Sequence, residues 1–229
     1  MIYLRGIVLA FLLAAQSAMS GPSSPSALAY DGIAPALPTI TSNCVNTPTA
    51  STATTSCVVT SNAGDTIVLF IQPQGVTISS VTDSAGATSV EIGVGPVGIS
   101  AWYFANVAAG SHTITLNLAA AAGYPVLQMV SISGAALTSP IDGFTSGSGT
   151  TTSWDSGSLT TVGPSEMLIG FVLGGSNTYT LTAPVFTALP EGGWTGVFQG
   201  YLAAPTAGTY AFTGTMTNGA TSLLLAVKP

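Results

Sequence analysis

Along most of this chain apolar and polar residues alternate with a period of two, in short runs cut by Gly, Pro, Asn or Asp. Ile114, Leu116 and Leu118 alternate with Thr113, Thr115 and Asn117, which turns one face of a strand to a core and the other to water. Runs of this kind predict strands at 57–60, 66–72, 76–81, 89–94, 99–107, 112–118 and 125–132. Further strands are predicted at 153–161, 167–173, 178–182, 196–203, 209–217 and 222–227. Turn signals such as Asp83-Ser-Ala-Gly86, Ala109-Gly110-Ser111 and Asn218-Gly219 separate them. No 3.6-residue period is sustained beyond the first twenty residues. The pattern predicts an all-β chain, a two-sheet β-sandwich of jelly-roll or immunoglobulin-like type.

Two of these strands carry bulk on both faces. Ile99, Tyr103 and Val107 oppose Trp102 and Phe104; Val197 and Tyr201 oppose Phe198 and Leu202. Such strands are covered on both sides, as in a core, or present one aromatic face to a partner. The segments GDTIVLF (64–70) and PSEMLIGF (164–171) resemble one another weakly, with an acid leading from a turn into an apolar run. The likeness is too short to establish a duplication.

The first twenty residues are organised differently. One base, Arg5, precedes an apolar run from Ile7 to Ala15, and Ala18-Met19-Ser20 ends in small residues. This is the layout of a cleavable signal peptide at 1–20, shorter than the ~20 apolar residues a membrane span requires. A Pro-, Ser- and Thr-rich N-terminal arm follows at 21–56, and the sandwich domain is expected at 57–229. Prolines exclude a helix from the start of the arm and allow an extended path, along which Leu28, Tyr30, Ile33, Leu37 and Ile40 recur. Cys44 and Cys57, the only cysteines, have no metal-ligand neighbours. In an oxidising compartment such a pair reads as a disulfide.

Charge changes the picture most. Only 4% of residues are charged, with 2 Lys and Arg against 8 Asp and Glu, where ordinary globular chains carry roughly 25%. A net charge of −6 excludes nucleic acid as a partner, since phosphate neutralisation needs basic residues; it also disfavours anionic membranes. The hydrophobic share of 47% supports a folded core, so the surface must be built from hydroxyls, amides and backbone. A coat of that kind does not repel its own copies.

Catalytic chemistry finds little to stand on. His112, the only histidine, lies at a turn-to-strand junction and reads as a surface or edge residue. The serines beside Gly147, Gly149 and Gly157 read as loop residues. Asp142 with Asp155, or Glu166 with Glu191, are conceivable carboxylate pairs of the glycosidase kind, but scattered acids always allow such pairs. The chain is expected not to be an enzyme and to need no cofactor. Calcium has only weak support, from the turn residues Asp83 and Asp142. Trp154, Trp194 and Tyr179 are candidate aromatic platforms for an extracellular glycan.

The succession GDTIVLFI, ISSVTDSAGAT, AWYFANVAAGSHTITLNL and EMLIGF resembles a class of secreted bacterial β-sandwich domains found in surface, adhesive and carbohydrate-associated proteins. The resemblance covers about residues 62–171 and implies a fold and an exported location, with no functional residues to carry over. The proline-spaced arm with an early disulfide is similar, more loosely, to donor-strand pilus subunits. The expected function is therefore a secreted structural or adhesive subunit of an extracellular filament or surface layer. It would self-assemble as a homopolymer by strand addition through the N-terminal arm. The alternative is a carbohydrate-binding module or lectin-like adhesin, again free of the membrane once the leader is cut.

Overall fold

The structure is a computed structural model that describes residues 35–149, 152–174, 179–182, 184–190 and 196–229. Leu28, Tyr30, Ile33, Glu191 and Trp194 lie outside the described residues. No α-helix occurs among those described, and the strands form four antiparallel sheets.

The first eight strands are β1 (Thr39–Asn46), β2 (Thr52–Ser61), β3 (Thr66–Gln72), β4 (Ile78–Asp83), β5 (Val90–Val94), β6 (Ser100–Phe104), β7 (Gly110–Ala122) and β8 (Val126–Ser133). They build a five-stranded sheet in the order β1-β8-β3-β6-β5 and a three-stranded sheet β2-β7-β4. The next eight are β9 (Ile141–Gly149), β10 (Ser153–Thr160), β11 (Glu166–Gly174), β12 (Tyr179–Leu181), β13 (Thr187–Ala188), β14 (Val197–Ala204), β15 (Thr209–Met216) and β16 (Ala220–Val227). These repeat the plan strand for strand, as β9-β16-β11-β14-β13 and β10-β15-β12. The chain thus folds twice into the same sandwich, and four sheets stand where the sequence pattern predicted two.

Period-two alternation decides how the sheets stack. In β3, Val68 and Phe70 face one core while Ile67, Leu69 and Ile71 face another. In β11, Met167, Ile169 and Phe171 share the first core, and Leu168 and Val172 enter a third. The two five-stranded sheets therefore pack against each other in the middle, and each three-stranded sheet covers an outer side. At the centre, Phe70 and Phe171 stack with ring centroids 5.3 Å apart and planes 7° from parallel. The strands carrying bulk on both faces, β6 and β14, belong to these central sheets, the first of the two outcomes their sequences allowed.

The repeat extends to the joints. In the first sandwich the Cys44–Cys57 disulfide ties β1 to β2 and so links the two sheets at their edge. In the second, Thr145 on β9 donates its hydroxyl to the Ser156 carbonyl on β10 (2.9 Å). His112 on β7 reaches back to the Ala108 carbonyl (2.9 Å), and Tyr210 on β15 donates to the Thr206 carbonyl (2.8 Å), each four residues upstream. β9 approaches β10 so closely that a Cβ at Gly147 would lie 1.9 Å from the Asp155 carbonyl oxygen. Gly147-Ser-Gly149 and Gly157-Ser158 are therefore strand residues of β9 and β10, not loops.

Among the described residues the sheets begin at Thr39, ahead of the boundary expected at Cys57. Ile40 sits in β1, paired with Ile132 and packed on the central core, while Leu37 is 39% exposed. The last part of the expected arm is thus an edge strand of its own sandwich. Phe171→Ala, which empties the stacked pair, should cost about 3–5 kcal/mol in a chemical denaturation curve. Cys44→Ser with Cys57→Ser should cost about 3 kcal/mol in the same measurement.

Candidate functional site

Few ionisable groups are present, and the fold uses nearly all of the described ones as ties. Asp65 ends the turn into β3 and is 1% exposed. It accepts the Asn62 amide N–H (2.9 Å) and the hydroxyls of Thr41 (3.0 Å), Ser131 (3.1 Å) and Ser133. Glu166 occupies the same place in the second sandwich and accepts the Gly163 amide N–H (2.9 Å). Where the first sandwich offers the Thr41 hydroxyl, the second offers Asp142, whose carboxylate accepts the Val162 amide N–H (2.8 Å). Burial, together with the neighbouring Asp142 charge, raises the Glu166 pKa above its ordinary 4.5. The structure does not bring Asp142 and Asp155 together: Asp142 lies with Glu166, and Asp155 caps its own turn by accepting the Gly157 N–H (2.8 Å); the other expected pair involves Glu191, outside the described residues.

His112 is not a surface residue. It is 1% exposed, with its ring nitrogens 2.8 Å from the Asp83 carboxylate and 2.9 Å from the Ala108 carbonyl oxygen. Both partners are acceptors, so a ring that satisfies both must donate from both nitrogens and carry a proton in excess. Burial pulls its pKa down, but the Ala108 carbonyl and the Asp83 carboxylate outweigh that, and the net shift is upward from 6.5. Asp83 also accepts N–H bonds from Ala85 (3.2 Å) and Ala87 (3.4 Å), closing the turn after β4. The pair is a buried clamp between β4 and β7, out of reach of a substrate.

Of the expected glycan platforms, Trp194 lies outside the described residues, and Trp154 and Tyr179 are drawn into packing. Trp154 is 2% exposed, its indole packed on Phe212 (5.9 Å) within the outer core of the second sandwich. It is buried because its side of β10 faces inward, and its polar sequence neighbours line the other face. Tyr179 is half-buried with its ring 4.3 Å from Phe198. Among the described residues no three His, Cys, Asp or Glu gather as a metal site.

Several surface clefts occur among the described residues that residue types alone did not single out, and one of them lies along two strand edges. A cleft of about 400 Å³ opens in the first sandwich between the free edges of β4 and β5, lined by Val76, Ile78, Glu91, Val94, Ser100 and Trp102 among others. It exists because β5 pairs with β6 in the central sheet and leaves β4 as the edge of the outer one. The Trp102 indole N–H donates to the Ser100 hydroxyl (2.9 Å), which fixes the ring at the cleft wall. The only sequence signal for it was the second bulky face of β6.

Compared with protein-family models, with curated proteins and with solved structures, the chain matches none.

The two raised pKa values have the same sign in stability. Each group holds its proton more tightly folded than unfolded, so its contribution is full below the unfolded pKa and is lost as pH rises through the folded one. Stability should therefore fall from mildly acidic pH towards alkaline pH in denaturation curves. Glu166→Gln should flatten the lower part of that fall, while His112→Ala should cost about 3–5 kcal/mol near neutrality by leaving Asp83 buried without its counter-ion.

Proposed function

We propose that this chain is a secreted structural subunit that acts by surface contact, assembling with its own copies into a filament or surface layer. The observation that carries this reading is the use of charge. Asp65, Asp83, Asp142, Asp155 and Glu166 each accept a backbone N–H in or beside a turn, and the remaining surface is largely hydroxyl and amide. On the outer face of β2-β7-β4, Thr54, Asn117 and Ser80 form one hydrogen-bonded row, and Ser56, Thr115 and Thr82 form the next. Such a surface neither repels another copy nor responds much to pH or salt.

Three further features support the reading. The strand order 1-8-3-6-5 against 2-7-4, repeated in the second half, supports a jelly-roll reading of each half, two sandwiches back to back in a block suited to a load-bearing unit. The disulfide fits an oxidising location, in keeping with the signal-like first twenty residues. None of the described edge strands carries a Lys or Arg, and each that is charged has a single acid, where soluble proteins commonly block edge-to-edge pairing with charge, Lys above all. Trp154, one of the residues that suggested the glycan-binding alternative, lies inside the core.

Sedimentation velocity and electron microscopy of the processed protein test the proposal. Assemblies larger than one copy, growing with concentration, are expected. Removing residues 21–34, which leaves β1 and its pairing intact, should reduce them to single copies. A processed protein that stays a single copy at every concentration would overturn the proposal.

A further inference from the structure

We infer that the cleft between β4 and β5 accepts an extended segment from a second copy of this chain, the proline-free stretch Ser26–Ala34, added as a strand along β4. The inference rests on the assembly reading and supplies its acceptor site.

The cleft has the features of an incomplete sheet. Among the described residues β4 pairs with β7 on one side only, and β5 pairs with β6 only. At one end the gap is bridged by a side chain, the Ser89 hydroxyl donating to the Val81 carbonyl (2.9 Å), so that β4's outward backbone group is already taken there. Towards Ile78 no such bridge occurs among the described residues, and the gap widens over Trp102. Exposed apolar side chains stand at and beside the cleft, Val90, Val94 and Val97 being 43%, 60% and 67% exposed, with Glu91 the one acid in its lining. Val97 also has a φ of 53°, a left-handed backbone that β-branched residues adopt only at a cost. The 3-10 turn at Pro96–Gly98 thus holds an apolar side chain out into solvent beside an unpaired strand edge.

The occupant follows from sequence and chain geometry. Strand addition requires backbone N–H donors and side chains alternating between pocket and solvent. Between Pro25 and Pro35 the chain reads SALAYDGIA, free of proline, with Leu28 and Tyr30 two residues apart on one side. The same copy cannot supply it. β1 and β5 are the opposite edges of the five-stranded sheet, about 19 Å apart at the usual strand spacing. Along the strands the chain enters at Thr39, level with Ser133, whereas the cleft wall at Ser100 and Trp102 is level with the Asn46 end. Entry point and cleft are therefore diagonal corners of the sheet, on the order of 25–30 Å apart. With Ser26–Ala34 laid along the cleft, the chain from Ala34 to Thr39 would have to cross that gap, and fully extended it reaches about 18 Å at most. A second copy has no such limit, and donation from copy to copy in one direction propagates an open chain.

Directed disulfide trapping tests this. Tyr30→Cys in one copy is mixed with Val94→Cys in another, both keeping the native Cys44–Cys57 bond. Val162→Cys, 80% exposed in the second sandwich, serves as the control acceptor. A mixed disulfide with Val94→Cys and none with Val162→Cys is expected. Ile78→Lys in the acceptor should abolish it by putting a charge at the edge. Leu28→Asp in the donor should do the same without touching the sandwich. No cross-link at Val94, an equal one at Val162, or a cross-link indifferent to Leu28→Asp would overturn the inference. If larger assemblies still sediment in that case, only the acceptor site is wrong; if single copies sediment, the assembly reading falls with it.

Discussion

The structure depends on the contact between the two five-stranded sheets. A strand such as TIVLFIQ or MLIGFVL, apolar on both faces, cannot be satisfied by a single sandwich, because one face would be left in water. Here Val68 and Phe70 meet Ile169 and Phe171 across the middle, and each sandwich becomes the other's cover. Burial of a large side chain is worth about 1.5–3 kcal/mol, and this layer contains many of them with no ion to align. Apolar contact and strand hydrogen bonds carry the fold.

That central contact explains why charge is so scarce and so placed. With sheets doing the work of cohesion, the few ionisable groups are left to fasten turns. Asp65 gathers three hydroxyls and an amide; Asp83 closes one turn and holds His112. The repeats have diverged at these joints more than in their sheets. A disulfide stands where its counterpart is a Thr145 hydroxyl bond, a histidine where its counterpart is Tyr210, a carboxylate among hydroxyls where its counterpart faces a second acid. Each pair solves one mechanical problem by different chemistry, so the first sandwich is the more firmly tied at its β1–β2 edge.

The strands that sequence pattern missed are instructive. β1 (TITSNCVN) and β9 (IDGFTSGSG) are equivalent edge strands, half-buried along their length, so neither shows the alternation that marks a strand with one wet face. Their edges pair through backbone and small residues, and glycine at Gly147 permits an approach that any side chain would block. Trp154 misled for the related reason that its neighbours are polar: in an alternating strand the neighbours describe the opposite face. His112 looked peripheral because nothing local announces that Asp83, 29 residues earlier, arrives beside it.

The sequence by itself determined that the chain is β throughout, where most strands run, that two cysteines can bond, and that charge plays little part. These follow from local period, turn chemistry and composition, which act over a few residues. Only the tertiary structure decided that there are two sandwiches, which face of each strand meets which sheet, and which acids and hydroxyls meet. It also decided that β5 would join the central sheet and leave a cleft at β4. Those outcomes depend on register and on pairing between strands far apart in the chain, which alternation within one strand does not encode.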